Sequence, residues 1–303
     1  MNQAKIKRII ARSAGILAAL LVLLLIAAGI SAVVCSRHIK VTRYDVPTDG
    51  LTAPVRLVVV ADLHGKEYGA GNAALCEKAA AQSPDAIVLL GDLFPSHPTQ
   101  ADADYVVRLT QSMQDIAQVY FAMGNHETDF TARYGSDWID AVADTGAIVL
   151  DEAWDDFEIA GNTIRLGGTL GHGYLFGRSR EAFEASSEYG VLSALEESPH
   201  PAVLLAHKPD TVALSDGKQR WHIGLVLSGH THGGVIRVPF FGGLYAPMQG
   251  WWPRYVYGDM MLNSQMRMII TSGLSGHDFV PRIFNLPEIC VVDLTPKGAA
   301  NGA

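Results

Sequence analysis

Five apolar runs in this chain each stop at a short cluster of Asp, Asn and His, and that pairing constrains the fold more than any other feature. Val55–Val60 leads into Asp62-Leu63-His64, and Ala86–Leu90 leads into Gly91-Asp92. Residues 119–123 lead into Gly124-Asn125-His126, 202–205 into His207, and 223–227 into Gly229-His230-Thr231-His232. Continuous aliphatic runs of this length read as strands buried on both faces. Clusters at the carboxyl ends of such strands lie on the edge where open α/β sheets bind ligands. Stretches far apart in sequence are therefore expected to converge. They supply seven potential metal ligands: Asp62, His64, Asp92, Asn125, His207, His230 and His232. Carboxylate, amide oxygen and imidazole without thiolate form a mix that borderline divalent metals accept. Seven ligands are too many for one four-coordinate structural site. They suit two metals sharing a bridging carboxylate, an arrangement used for in-line displacement at phosphorus.

The rest of the chain reads as one domain over 38–295. Residues 38–46 alternate loosely and open it as a strand. A helix is expected over 72–82 with Asn72 as its N-cap, and another over 101–116. Two short runs around Gly161-Asn162 form a hairpin, and 268–270 and 289–292 are closing strands. Residues 242–253 carry glycine, proline and paired tryptophans without periodicity and read as a long loop; 296–303 read as a disordered tail. Strands alternating with helices, followed by hairpins, indicate α/β layers with mixed sheets.

Residues 1–13 form a basic N-terminus. Residues 14–34 contain no charge and only Ser31 as a hydroxyl, and as a helix would extend roughly 31 Å, enough to cross a hydrocarbon core. The apolar part of a cleavable signal is usually shorter, about 7–15 residues, and bulky Val34 precedes Cys35 where a lipoprotein signal calls for a small residue. The run is therefore expected to be an uncleaved single-pass transmembrane anchor. Lys5, Lys7, Arg8 and Arg12 precede it, against Arg37, Lys40 and Arg43 after it, which favours a cytoplasmic N-terminus and an extracytoplasmic domain.

Those seven basic residues stand among no acidic ones. From Tyr44 onward 16 Lys and Arg face 31 Asp and Glu, a net charge near −15. Such a surface is a poor non-specific binder of nucleic acid, which disfavours a nuclease. Three cysteines make no disulfide framework; Cys76 and Cys290 are expected as small buried hydrophobes.

At these residues the sequence resembles the calcineurin-like metallophosphoesterases. The motifs run in order over about 55–295: Asp-x-His, Gly-Asp, Gly-Asn-His-Glu, His, and Gly-His-Thr-His. The anchor, Gly229 to Gly234 and Pro287-Glu288-Ile289 resemble the small bacterial membrane-associated branch of YkuE-like proteins. The resemblance implies a four-layer αββα sandwich after the transmembrane helix, and two divalent metal ions (Mn, Fe or Zn). It implies that Asp62, His64 and His232 hold one metal, that Asn125, His207 and His230 hold the other, and that Asp92 bridges. A water between the metals, losing a proton near neutral pH, would attack phosphorus. His126 would act as general acid or as cationic stabiliser. Purple acid phosphatases carry a tyrosine ligand three residues after the bridging Asp, where this chain has Pro95. Ser/Thr phosphatases carry an arginine four residues after it, where this chain has Ser96. Lacking that bidentate donor, the site tilts toward diesters; the expected reaction is hydrolysis of a phosphodiester or a pyrophosphate, and an anchored site near a bilayer extends the expectation to lipid-linked and cell-envelope substrates. Alternatives are a phosphomonoesterase on the same site, or a catalytically silent metal-binding module. The sequence does not address oligomeric state.

Alone, an Asp-x-His reads as a strand-end turn; the ordered set outweighs that. His38, His97, His172, His200, His222 and His277 fall outside the pattern and are expected at the surface or in packing, with His172 and His277 as substrate-loop candidates. Arg282 is expected as an exposed loop arginine. Trp251 and Trp252 form either an apolar lip near the membrane or part of the core. Glu127 either orients a neighbour of the metals or caps the next helix.

Overall fold

The computed structural model describes residues 3–171, 180–214, 217–276 and 280–298. Two six-stranded mixed sheets face each other. The first runs in the order Lys40–Thr48, Glu288–Pro296, Val55–Val60, Ala86–Leu90, Val119–Ala122, Ile148–Leu150. From Val55–Val60 outward its strands are parallel, while Glu288–Pro296 pairs antiparallel with Val55–Val60. The second runs Gly258–Met261, Arg267–Ile270, Leu225–Ser228, Ala202–Ala206, Asn162–Thr169, Ala153–Ile159, parallel except at its two edge strands.

The two-residue period of a strand explains the layering. Leu57, Val59, Val88 and Leu90 point inward and meet Leu166, Val203, Leu205 and Leu227 of the opposite sheet. Val58, Val60, Ile87 and Leu89 point outward under Leu75, Val106, Leu109 and Val142, on helices Ala73–Ala80, Asp102–Gln114 and Asp137–Ala143. On the far side Leu204, Val226 and Met268 meet Leu192, Leu195 and Val212, on helices Ser187–Glu196 and Asp210–Ala213. Both sheets are thus covered twice, and the architecture is the αββα sandwich. Cys290 is buried within the first sheet, and Cys76, on helix Ala73–Ala80, is half-buried.

Local details differ from the sequence expectations. Asn72 stands before helix Ala73–Ala80 but gives it no side-chain cap. Its Oδ1 instead accepts from Tyr68 N at 3.0 Å and its amide donates to the Tyr105 hydroxyl, because it is buried and must satisfy both ends. The hairpin turns at Ala160 and Gly161, both at positive φ, the twist that two-residue loops favour. Asn162 opens the returning strand and ties the 52–53 loop through Oδ1. The 242–253 segment is not structureless: Arg237–Val238 pairs with Gly242–Gly243, and Tyr245–Ala246 with Gly250–Trp251. Trp251 and Trp252 are 69% and 53% exposed, which rules out core packing. Pro296 closes the last strand and Lys297 reaches Asp49 at 2.7 Å; residues 299–303 lie outside the described ones.

The N-terminal helix runs Gln3–Arg37 and is exposed through its apolar middle. It is long and apolar enough to cross a membrane. Its last turns touch the domain, where Cys35 is buried and Ser31 Oγ accepts from Phe284 N at 2.6 Å.

Candidate active site

All seven candidate ligands and His126 meet at the carboxyl ends of the parallel strands of both sheets. The chain turns sharply there: Asp62, His64, Asp92, His230 and His232 all adopt positive φ, which folds each side chain back over its strand end. Non-glycine residues reach that region at a cost of about 1–3 kcal/mol each. The surrounding backbone holds them: His64 N donates to Asp92 O at 3.0 Å, and Asp62 N donates to Gly91 O at 3.0 Å.

Asp92 lies at the centre. Its Oδ1 accepts from His126 N at 2.9 Å, at the start of helix Asn125–Tyr134, where the helix dipole favours an anion. Its Oδ2 faces the imidazoles, 3.0 Å from His207 Nε2, 3.8 Å from His64 Nε2, 3.9 Å from His126 Nε2 and 4.0 Å from His230 Nδ1. One oxygen keeps two lone pairs, so Oδ2 alone can face both halves of the cage. Three groups of donor atoms lie close enough to hold an ion: Asp62, His64 and His232; His64, Asp92 and His126; Asp92, His207 and His230. Asp92 belongs to two of them.

Ring orientation is set from behind. His207 Nδ1 contacts Leu90 O at 2.8 Å and His232 Nδ1 contacts Ser275 O at 3.1 Å, turning each Nε2 into the cage as ligating histidines require. Asp62 Oδ1 accepts from His230 N at 2.9 Å. Asp62 Oδ2 and Asn125 Oδ1 are buried with no hydrogen-bond partner among the described residues. Buried acceptors are ordinarily satisfied, so their orphaning in one spot fits a cation.

The charges are correspondingly strained. Burial pushes the Asp62 carboxyl up to about 7, despite the opposing pull of His207. Burial also opposes ionisation of Asp92, but His207 beside it outweighs that and holds the group well below the carboxylate range. Burial draws His207 down while Asp92 and Asp62 raise it further, to about 9. Burial and the neighbouring His64 force His232 well below the ordinary imidazole value. A buried set of carboxylates and imidazoles competing for protons is relieved by metal binding, which takes the deprotonated forms.

Glu127 is fully buried and does both things the sequence allowed. Its Oε2 accepts from Asp92 N at 2.7 Å and Gly124 N at 2.9 Å, and its Oε1 from Leu93 N at 2.7 Å. The turn after Ala86–Leu90 is therefore clamped to the start of the Asn125 helix. Arg282 corrects an expectation: it is 4% exposed, not a surface loop residue. Its Nε donates to Ser275 O at 2.6 Å and its Nη2 to Ser272 O. That loop also passes Ser275 N to Asp62 O at 2.7 Å, so Arg282 supports both Asp62 and His232. Nothing in a lone Arg-Ile-Phe context signals this. His38, His200 and His222 lie away from the cage, with His222 against Glu196; His172 and His277 lie outside the described residues.

A cavity of about 170 Å³ opens over the cage, lined by Asp92, Asn125, His64, His126, His230 and His232 together with Ser96, Val235, Pro247, Gly276 and Tyr245, which is 46% exposed and marks its mouth. Among the described residues lining it there is no arginine or lysine. The His126 ring stands edge-on to His64, centroids 4.6 Å apart, and lines the cavity.

Comparison with known proteins identifies the family. The calcineurin-like phosphoesterase family profile matches residues 55–234, more than half of the chain. An uncharacterised metallophosphoesterase of Campylobacter jejuni, Cj0846, is 28% identical over 262 residues, covering 85% of this chain and 64% of that protein. The chain thus spans less than two thirds of that relative's length. The uncharacterised metallophosphoesterase YkuE of Bacillus subtilis is 26% identical over 215 residues, covering 70% of this chain and 68% of that one. The phosphodiesterase YaeI of Escherichia coli is 26% identical over 246 residues, covering 80% and 83%. The chain belongs to the calcineurin-like phosphoesterase family.

Proposed function

We propose that the protein is a membrane-anchored phosphoesterase that cleaves a phosphodiester or pyrophosphate, with lipid-linked or cell-envelope phosphates as its substrate class. In this reading Asp62, His64 and His232 hold one divalent cation and Asn125, His207 and His230 hold a second, with Asp92 shared between them. The oxygen and imidazole donor set suits manganese, iron or zinc. Such a pair supplies an activated water near neutral pH and charge neutralisation on the phosphoryl oxygens.

The protein's own residues do the rest. Glu127 and the Asn125 helix hold Asp92 in place through three amide donors. His126, in the cavity lining, serves the departing oxygen as general acid or as cationic stabiliser, a role typically worth about 10²–10⁴-fold. Val235, Tyr245 and Pro247 wall the cavity and limit water. The preference for diesters rests on Ser96 in the lining and on the lack of a guanidinium among the described residues that line the cavity, which leaves a terminal phosphate dianion poorly held; the relative named a phosphodiesterase is consistent with it. Residues 14–34 act as the anchor, with the domain on the extracytoplasmic side.

One observation carries the proposal: Asp92 Oδ2 lies within 4.0 Å of four imidazole nitrogens, beside two orphaned acceptors, Asp62 Oδ2 and Asn125 Oδ1. The test is turnover by the purified full chain in detergent on a chromogenic diester, a monoester and a lipid pyrophosphate, with and without chelator. Chelator-sensitive diester or pyrophosphate hydrolysis, restored by manganese or zinc, supports the reading. A tenfold monoester preference contradicts the substrate class, and no hydrolysis under any metal favours the silent module.

A further inference from the structure

The lobe beside the cavity is apolar, exposed and joined to the end of the N-terminal helix. Along the last turns of that helix Ala28, Ser31 and Ala32 are half-buried and Cys35 is buried, while their neighbours are exposed. That spacing defines one helix face, and the domain covers it. Ala28 lies six residues before Val34, so at 1.5 Å per residue the covered face reaches about 9 Å inside the end of the apolar run. On the anchor reading, the contacting segment therefore lies near the depth where headgroups meet acyl chains.

From that contact a series of contacts leads to the aromatic lobe. Phe284, bonded to Ser31, follows Ile283, whose carbonyl accepts from Arg237 N at 2.9 Å. Arg237 opens the hairpin whose tip is Phe240, fully exposed, and Phe241, 75% exposed. The Phe241 ring lies 6.0 Å from Trp252, and Trp251 lies 5.5 Å from Tyr245 at the cavity mouth. Exposed apolar surface of this extent is rare on a domain surrounded by water. The charge pattern agrees: residues 232–258 contain Arg237 and Arg254 and no Asp or Glu, inside a domain of strong net negative charge.

We infer that this lobe, with Phe240, Phe241, Trp251 and Trp252 as its leading side chains, seats into the interface of the bilayer that holds the helix. Aromatic side chains favour that layer, and the two arginines suit anionic headgroups. The inference rests on the anchor reading above and deepens its substrate class. Tyr245 both borders the cavity and packs on Trp251, so the cavity opens beside the headgroups. A phosphodiester in a lipid headgroup reaches it without leaving the membrane.

The test uses the full chain in vesicles of phosphatidylcholine and phosphatidylglycerol with brominated acyl chains. Co-flotation reports the anchor, and bromolipid quenching of tryptophan emission reports the seat. The expected result is quenching that the W251F/W252F variant abolishes, while Trp154, exposed on a distant edge strand, remains open to aqueous acrylamide. The exposed-tip variant F240D/F241D should lose at least tenfold turnover on a vesicle-anchored p-nitrophenyl phosphodiester and none on a water-soluble diester. A co-floating chain whose lobe tryptophans are quenched by acrylamide, or shielded from both quenchers by another copy or protein, overturns the seat and leaves the anchor standing. Failure to co-float overturns the anchor and the seat together. Quenching by bromolipid without hydrolysis of either diester supports the seat and overturns the proposed activity.

Discussion

Replacing Gly124 by alanine places one methyl group in the space that organises the cage. Its Cβ would stand 2.3 Å from Asp92 Oδ1, 2.4 Å from Asp92 N and 2.6 Å from Glu127 Oε2. Ordinary contact begins at 3.4 Å, so the nearest overlap is roughly 1 Å. None of these atoms retreats freely: Oδ1 holds the His126 amide, and Glu127 clamps Asp92 N. Overpacking of this kind costs typically about 1–3 kcal/mol, a fall in Tm of about 2–4 °C per kcal/mol for a domain near this size. Activity should fall much further, since misplacing a catalytic constellation by about 1 Å costs on the order of 10²-fold. Gly190 is the matched control. It lies in helix Ser187–Glu196 and its Cβ meets nothing within 4 Å, so Gly190→Ala should add about 0.5–1 kcal/mol through helix propensity. The assay combines metal content, turnover of a chromogenic diester and thermal unfolding for both variants. Gly124→Ala should melt a few degrees lower, lose metal and lose turnover. A Gly124→Ala protein with full metal content and wild-type turnover would refute the packing argument for Asp92.

Three further outcomes follow from the geometry. His126→Ala should keep its metals yet lose about 10²–10⁴-fold in turnover; because His126 also lies in a potential ligand group with His64 and Asp92, loss of metal would reassign it as a ligand. Arg282→Met removes the donors to Ser272 O and Ser275 O; Ser275 O keeps His232 Nδ1, so the loss is about 1–3 kcal/mol for the Ser272 carbonyl left without its donor. Urea unfolding should register that loss, and metal analysis should show the Asp62, His64 and His232 half depleted first; equal depletion of both halves would contradict the support assigned to this arginine. Glu288 is buried, which opposes its charge, but Lys40 at 2.9 Å and the Thr42 and Ser272 donors outweigh burial and hold it below its ordinary 4.5. A carboxyl depressed in the fold adds stability above its unfolded value that disappears as pH falls through the folded one. Glu288→Gln should therefore narrow the stability difference between pH 7 and pH 3, and an unchanged difference would place that acid sensitivity elsewhere.

Much of this was legible because the site lies where simple patterns are strongest. Val55–Val60 and Ala86–Leu90 are strands over the residues that their aliphatic runs indicate, since strands buried on both faces leave little room for polar residues; Arg56, the one charge in them, reaches out to Asp293. The clusters converge because parallel strands deliver their carboxyl ends to one edge, as Asp62, Asp92 and Asn125 do from neighbouring strands of the first sheet. What stayed hidden depends on tertiary contact. Arg282 is buried only where the folded chain brings it against the Ser272 and Ser275 carbonyls, and Asn72 lost its capping role to Tyr68 and Tyr105. The paired segments around Tyr245 and Trp251 are two residues long, too short for any periodicity. The positive φ of His64, His230 and His232 also has no local signal, because histidine is not a residue that turns demand; it is imposed by what the side chains must face.

The central claim is that one shared aspartate organises two cations. The most direct measurement is metal stoichiometry by mass spectrometry on the intact chain after dialysis against manganese or zinc, for wild type and Asp92→Asn. The account predicts two ions per wild-type chain and the loss of both tight sites in the variant, with its fold retained by circular dichroism. A single ion in the wild type, or two retained by Asp92→Asn, would contradict it.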